Sequence, residues 1–411
     1  MKLAIEAHNP RLAAVITLTV AMLTAPFTQA VGPSSSNQVS EQRAKTHTYS
    51  ALKTSTKLNV IVPIFDPNIP TNPDDYAKLG IWPEVRNTEA KLFAVRLRDS
   101  LQATGAFGAV RTAPTDEAIA ELYVKGKIIE SNSEDIELEI TLTDISNTSW
   151  YRPSKSFKYR VNEYSLTSAR SQGNDPYAPI YKAITEDIVA QLSRKRERTL
   201  VRLQQTSGMV LARSYSDETF GKYIRETRSG KVRVRDLPAD NDPKFERVQQ
   251  LRAREEIFID ELQNHYQIFA SDVGESYLSW QQDSFPEAKE YREARRQVRR
   301  ERGLGIASAV AAVVLATQGG NNDAVRAGAI AGGIAAGGLI YKSFRTRADS
   351  KIHFEQLKES GQTLDLELGP KNIAFEDKTA ELTGTAAEQF QQHRDYLQEW
   401  YADEATPEVQ L

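Results

Sequence analysis

Three histidines downstream of residue 56, His265, His353 and His393, are the metal-ligating candidates of this chain, and no two of them share a paired spacing. A zinc site needs ligands that converge, normally from short-spaced pairs, so this set points to no metal. Ser50 and Lys53 match the Ser-x-x-Lys spacing of a nucleophile with its base. Such a lysine has to be tuned by a desolvating pocket, which the surrounding polar segment does not offer. The run Gly303-Leu304-Gly305 lacks the third glycine and the preceding strand of a dinucleotide loop, and no GxxxxGK[ST] occurs. Asp66, Asp74, Asp75 and Glu84 bracket a Pro- and Asp-rich loop that could hold a cation, although acids of this kind are also ordinary in solvated turns. With no cysteine there is no disulfide, thiolate zinc site, cysteine nucleophile or lipidated cysteine. No catalytic, cofactor-binding or metal-binding residue is assigned, and the chain is read as non-enzymatic.

Position along the chain is more informative than chemistry. The 411 residues allow two or three domains, and 52 Lys+Arg against 55 Asp+Glu give a net charge of −3, so no global basic field recommends nucleic acid as a partner. Residues 1–30 carry Lys2 and Arg11, an apolar run from Leu12 to Ala25, and small residues up to Thr28-Gln29-Ala30. That is the pattern of a secretory signal, the other reading being an uncleaved anchor. The expected location is a bacterial periplasm. Residues 31–56, rich in Ser, Thr, Gln and Asn, read as a tether that cannot offset its own ordering entropy.

The first compact unit spans 57–200. "KLNVIVPIFDPN" is a buried strand closed by Asp66-Pro67. Asn87 or Thr88 can cap the next helix, in which Phe93, Leu97 and Leu101 share a face and which Gly105 stops. "AFGAVRTAP" is a short strand. The runs Leu122–Ile129 and Ile136–Ile145 form a hairpin, and in the second Ile136, Leu138, Ile140 and Leu142 alternate with polar residues. Phe157, Tyr159 and Val161 continue as a strand, and Ile180, Ile184, Ile188 and Leu192 mark a second helix. The expected fold class is α+β, a mixed sheet with packed helices. "KLNVIVPIFDP", "EAKLFAVRLRDSLQATGAFGAVR" and "AELYVKGKIIESNSEDIELEITLTD" resemble the amino-terminal domain of TolB and the periplasmic domain of the curli secretion lipoprotein CsgG. The resemblance implies a periplasmic, partner-binding domain. CsgG-like proteins are tethered by a lipidated cysteine, which this chain lacks.

Residues 209–302 read as mostly helical. Phe258, Leu262, Tyr266, Phe269, Val273, Tyr277 and Trp280 recur at an eleven-residue period, which makes one apolar stripe. It is either a core helix packing on its own domain or a seam for a partner. In 303–344, Leu304–Thr317 holds fourteen residues and Ala327–Tyr341 fifteen, none of them charged. As helices these are roughly 21–23 Å long against the ~30 Å of a hydrocarbon core. Gly303, Ala307 and Ala311 in the first run, and Gly328, Gly332, Gly333, Ala336 and Gly337 in the second, fall at helix-packing spacing. The segment resembles the glycine-zipper hairpins of bacterial envelope proteins, on the pairs Gly328/Gly332 and Gly333/Gly337. Membrane insertion, burial in a soluble or oligomeric core, and a flexible linker are its three readings.

The flanking basic residues Arg292, Arg295, Arg296, Arg299, Arg300, Arg302, Lys342, Arg345 and Arg347 either meet anionic lipid head groups or form a solvated helix face. Residues 350–402 read as a small strand-strand-helix unit with a capping box from Thr385 to Glu388, and "AFEDKTAELTGTAAE" resembles BON domains. The expected whole is a non-enzymatic cell-envelope protein at the periplasmic face of the outer membrane. Membrane lipid, envelope proteins and possible copies of itself are its partners, and an oligomeric channel or secretion component is the alternative.

Overall fold

The computed structural model describes residues 56–167, 174–303, 348–375 and 378–405, which belong to one compact unit. The expected signal, the tether apart from Thr56, and the hairpin beyond Gly303 lie outside the described residues. The fold is α+β, built on a five-stranded mixed sheet.

β1 (Val60–Pro63) runs parallel to β2 (Val110–Ala113) on one side and to β3 (Leu122–Ser131) on the other. β4 (Asp135–Asp144) and β5 (Lys155–Arg160) then add antiparallel, giving the order β2-β1-β3-β4-β5. A parallel β1/β2 pair needs a crossover, which α1 (Asp74–Leu79) and the longer α2 (Pro83–Ala103) supply. β1 is apolar throughout because it is covered on both faces. Val60 and Val62 enter the main core, and Ile61 enters a second core on the opposite side. β4 alternates as its sequence does, with Ile136, Leu138, Ile140 and Leu142 all buried. Gly126 on β3 is required by Phe65, whose ring carbons would lie 2.5 Å from any Cβ placed there.

After α3 (Glu163–Thr167), α4 (Ala178–Ser193) lies beside α2, and Ile180, Ile184, Ile188 and Leu192 are buried in the main core. α2 does not begin at Asn87 or Thr88. It begins four residues earlier at Pro83, whose fixed φ suits a first helical turn, and the two expected caps lie inside the helix. Its end is as expected, with Gly105 in the left-handed region at φ 64.

The chain continues through α5 (Glu197–Tyr215), α6 (Asp217–Phe220) and the small ribbon β6 (Ile224–Glu226) with β7 (Val232–Val234). It then enters α7 (Pro243–Gly303), 61 residues that at about 1.5 Å each extend roughly 90 Å. α7 threads the three apolar cores of the described residues. Val248 and Leu251 pack with α5 and the ribbon, Phe258, Ile259, Leu262 and Tyr266 with the second core, and Val273, Tyr277, Trp280 and Phe285 with the main core.

The aromatic stripe considered as a partner seam is therefore the inner face of the chain's own longest helix. Tyr266 and Tyr277 are fully buried, Phe258, Leu262, Val273 and Trp280 nearly so, and Phe269 packs against the main core half-buried. The physical reason is supply: the sheet and α2 present more apolar surface than α4 alone covers.

α8 (Ala348–Ser360) returns onto α7 and α2. β8 (Lys371–Phe375) and β9 (Lys378–Leu382) form an antiparallel hairpin, followed by α9 (Ala386–Ala405). The carboxy-terminal unit thus opens with a helix. Leu364, Leu366 and Leu368 precede the strands and join the sheet-like pairing only through the bridge of Glu367 with Thr385. The capping box forms as expected: the Thr385 backbone N–H donates to Glu388 Oε2 at 2.8 Å, and the Glu388 N–H donates to Thr385 Oγ1 at 3.3 Å.

Candidate functional site

A cavity of about 510 Å³ opens where the start of α2, the far end of β3 and α7 meet. Trp82, immediately before α2, and Trp280 on α7 stand in its wall with ring centroids 6.4 Å apart, edge to face. Ile81, Val85 and Ala288 continue the apolar lining. The pairing of β3 with β4 slips between Ile128 and Glu130, so that Ile129 is an extra residue. A bulge of this kind re-aims side chains at a sheet margin, and Ile129, Glu130 and Ser131 all line the cavity.

Arg86 and Glu89, one helical turn apart on α2, are the buried charged pair of a lining that also carries Asn68, Glu130, Ser131, Asn132 and Ser284. Arg86 is 5% exposed and Glu89 is fully buried, because α7 covers the face of α2 that would otherwise meet water. Glu89 Oε1 accepts from Ser131 Oγ at 2.5 Å and from Tyr277 OH at 2.7 Å. Its Oε2 has only the Arg86 Nε contact at 3.5 Å, and Arg86 Nη2 reaches the Ser131 carbonyl at 3.4 Å. Burial pushes the Glu89 carboxyl above its ordinary range, against the opposing pull of Arg86 and of the Ser131 and Tyr277 hydrogen bonds. Arg86 Nη1, Glu89 Oε2 and Trp280 Nε1 have no hydrogen-bond partner. A buried polar atom left so costs about 1–3 kcal/mol, and all three belong to residues of the cavity lining.

Behind the same wall, Trp82 packs edge to face on Phe354 of α8 at 4.6 Å. α8 is held there by the residues expected as caps. Asn87 Nδ2 donates to the Gly361 carbonyl at 2.9 Å, and Thr88 Oγ1 to the Leu357 carbonyl at 2.9 Å. Lys91 Nζ donates to the carbonyls of Ser360 and Thr363 at 2.7 and 2.9 Å. A cation at a helix carboxyl end complements both its unpaired carbonyls and its dipole. Burial lowers the Lys91 pKa to about 8, against the raising effect of Asp365 and Glu367. Gly361 is fixed by the same contact, since a Cβ there would lie 1.7 Å from the Glu84 carbonyl oxygen.

The residues singled out in the sequence are dispersed. Gly303 is the last residue of α7, while Ala307, Ala311, Gly328, Gly332, Gly333, Ala336 and Gly337 lie outside the described residues. Lys342, Arg345 and Arg347 also lie outside, as do the side chains of Arg295, Arg299, Arg300 and Arg302, whose backbone continues α7. Arg296 is exposed. Arg292, counted among possible head-group contacts, is instead turned inward: its Nε donates to both Glu134 oxygens at 2.8 Å, a nearly buried carboxylate that needs a cation.

Of the histidines, His265 is exposed, His353 Nδ1 stands 3.3 Å from Ser276 Oγ, and His393 stacks on Phe258 with centroids 4.5 Å apart. Among the described residues no group of three or more His, Asp or Glu side chains could hold a metal, and no helix is long and apolar enough to cross a membrane. Asp66 pairs with Lys127 at 3.2 Å and accepts the Asn68 N–H, a turn acid. The cavity residues Arg86, Glu89, Ser131 and Trp82 went unmarked by spacing. The one available signal was the stripe on α7, which needed an apolar counterpart and so implied that one side of α2 would be covered.

No family model, curated protein or solved structure matches the chain.

Proposed function

We propose that the chain is a non-enzymatic cell-envelope protein, held at a membrane surface by a glycine-zipper hairpin over residues 303–344 and binding partner polypeptide through its α+β body. The observation that supports this reading is how the helix that follows the segment is fixed to the body. The segment follows α7 in the chain and precedes α8, which is fastened to α7 by Ser276 with Gln356, by Gln356 Nε2 with the Asp272 carbonyl at 3.2 Å, and to α2 by Lys91. An insertion whose returning helix is fixed to the body by polar side chains carries load into that body, as an anchor has to and a passive linker does not.

The test is fractionation of the full chain beside a variant lacking residues 304–347, with a thermal melt to show that the body of the variant still folds. The full chain is expected to stay with membranes through a carbonate wash and to need detergent for release, and the deletion variant to be released. Equal retention of the two chains ends the anchor reading. Size in detergent distinguishes a monomer from the ring that a channel would require.

A further inference from the structure

We propose that the outward face of the β6–β7 ribbon is a contact site for the anionic head groups of a phospholipid surface. It adds an electrostatic contact to the membrane-surface reading above, on which it rests for proximity, and it uses no residue of the hairpin, so the two tests fail separately.

The face follows from register. Ile224 pairs with Val234, Arg225 with Arg233 and Glu226 with Val232. Ile224, Val232 and Val234 pack into the core beside α5 and α7, so Arg225 and Arg233 stand on the other side of the ribbon. The pairing runs one residue past β7 at each end. The Thr227 N–H donates to the Lys231 carbonyl at 2.9 Å, and the Arg235 N–H to the Tyr223 carbonyl at 2.8 Å. Lys231 and Arg235 therefore share the face of Arg233, and all four cations are exposed. Among the described residues none of the four has an ion pair or a side-chain hydrogen bond. The nearest acids in sequence are engaged elsewhere, Glu226 with Arg213 at 3.9 Å and Asp236 with the Leu237 N–H at 2.9 Å.

Two arginines set directly opposite each other on neighbouring strands repel. The five-stranded sheet avoids this: Lys158 and Arg160 of β5 stand opposite Glu137 and Asp135 of β4 and pair with them at 2.7 and 2.6 Å. The ribbon keeps Arg225 against Arg233, a charge density that an outside anion relieves. Leu237, two residues past Arg235 and 41% exposed, selects the kind of anion. A bilayer surface takes cations at its head groups and an aliphatic side chain just beneath them. The groove of a duplex nucleic acid also admits a two-stranded ribbon, but it would set Leu237 against phosphates. The net charge of −3 also opposes capture of a free polyanion from a distance.

The chain has no cysteine, so Ser229→Cys, exposed in the turn of the ribbon, takes a polarity-sensitive dye at one place in the full chain. The probes are vesicles of phosphatidylcholine alone and vesicles with about 30% phosphatidylglycerol, an anionic surface. The dye emission is expected to shift on the anionic vesicles only. The shift should be lost in 1 M salt, which shortens the screening length from about 10 Å at 0.1 M to about 3 Å. The ratio of contacting to free ribbon should fall about fivefold for each of Arg225, Arg233 and Arg235 replaced by Gln, and be kept when the three are replaced by Lys. Arg233→Gln should leave the melting temperature unchanged or raise it, because the repulsion is removed.

Co-sedimentation separates this contact from the anchor. A chain that sediments with both kinds of vesicle while its dye keeps the aqueous emission overturns the ribbon proposal and leaves the hairpin. A chain that sediments with the anionic vesicles alone, its dye shifted, supports the ribbon and ends the hairpin. A melting temperature lowered by Arg233→Gln would assign the arginines to the fold and overturn the proposal. So would duplex DNA or polyglutamate displacing the vesicles at equal charge concentration.

Discussion

Lys91 Nζ lies 2.7 Å from the carbonyl oxygen of Ser360, 269 residues away in sequence. A buried lysine on α2 thus closes the carboxyl end of α8, the first helix after the hairpin segment. Lys91→Met keeps the stem and removes every donor. The carbonyls of Ser360 and Thr363 then lose their partner in a dry place, and stability is expected to fall by about 1–3 kcal/mol, measured by urea unfolding of the two chains.

The same lysine sets a pH dependence. Its folded pKa of about 8 lies below its ordinary 10.5. Below pH 8 both folded and unfolded chains hold the proton, and the burial penalty on the charged form is at full strength. Between pH 8 and 10.5 the unfolded chain binds more protons than the folded one, so this residue's contribution to stability rises with pH. The difference in unfolding free energy between the natural chain and Lys91→Met should therefore grow across that window. A flat difference would mean that Lys91 is not desolvated.

Arg86 and Glu89 should behave as one unit. Glu89→Gln leaves a nearly buried guanidinium without a counter-charge, which costs about 3–5 kcal/mol when a buried pair is broken. Arg86→Met combined with Glu89→Gln removes both charges and should recover most of that loss. A double-mutant cycle in urea measures it, and additive effects would contradict the pairing.

His393, stacked on Phe258 and 6% exposed, has its pKa lowered to about 4, first by burial and then by Lys371 and Arg254. Its folded value lies below its ordinary 6.5, so the unfolded chain takes up the proton first as pH falls from 6.5 to 4, and stability drops over that interval. His393→Phe should match the natural chain near pH 7 and be less acid-sensitive between pH 6.5 and 4, by melting temperature.

Gly126→Ala places a methyl group against the Phe65 ring. Overpacking of this kind costs about 1–3 kcal/mol. Adding Phe65→Leu should return part of the loss if the ring is the obstacle, and none of it if the strand backbone is.

The sheet was readable because its signals are local: β4 alternates, β1 is a bare apolar run, and Gly105 punctuates α2. The site was not readable, because its residues acquire their character from a helix more than 150 positions downstream. Arg86, Glu89 and Lys91 look like the solvated side of an amphipathic helix until α7 and α8 lie over them. Asn87 and Thr88 show the same limit. Their side chains have the chemistry of a helix cap, and they do satisfy the end of a helix, but it is the carboxyl end of α8, brought to them by tertiary packing that no spacing encodes. The stripe on α7 was legible as apolar and periodic, while its destination depended on how much surface the sheet leaves uncovered.

One contact bears on how copies of this molecule can meet. Gln263 on α7 places its side-chain amide against β2, accepting from the Thr112 N–H at 2.7 Å and donating to the Thr112 carbonyl at 2.8 Å. It stands where a sixth strand would, and Arg111 with Asp260 reinforces it. Among the described residues this leaves the five-stranded sheet with one unpaired margin, along β5. Growth of a continuous ribbon needs two such margins per molecule. Edge-to-edge joining of two five-stranded sheets through the described strands is therefore confined to a β5-to-β5 pair.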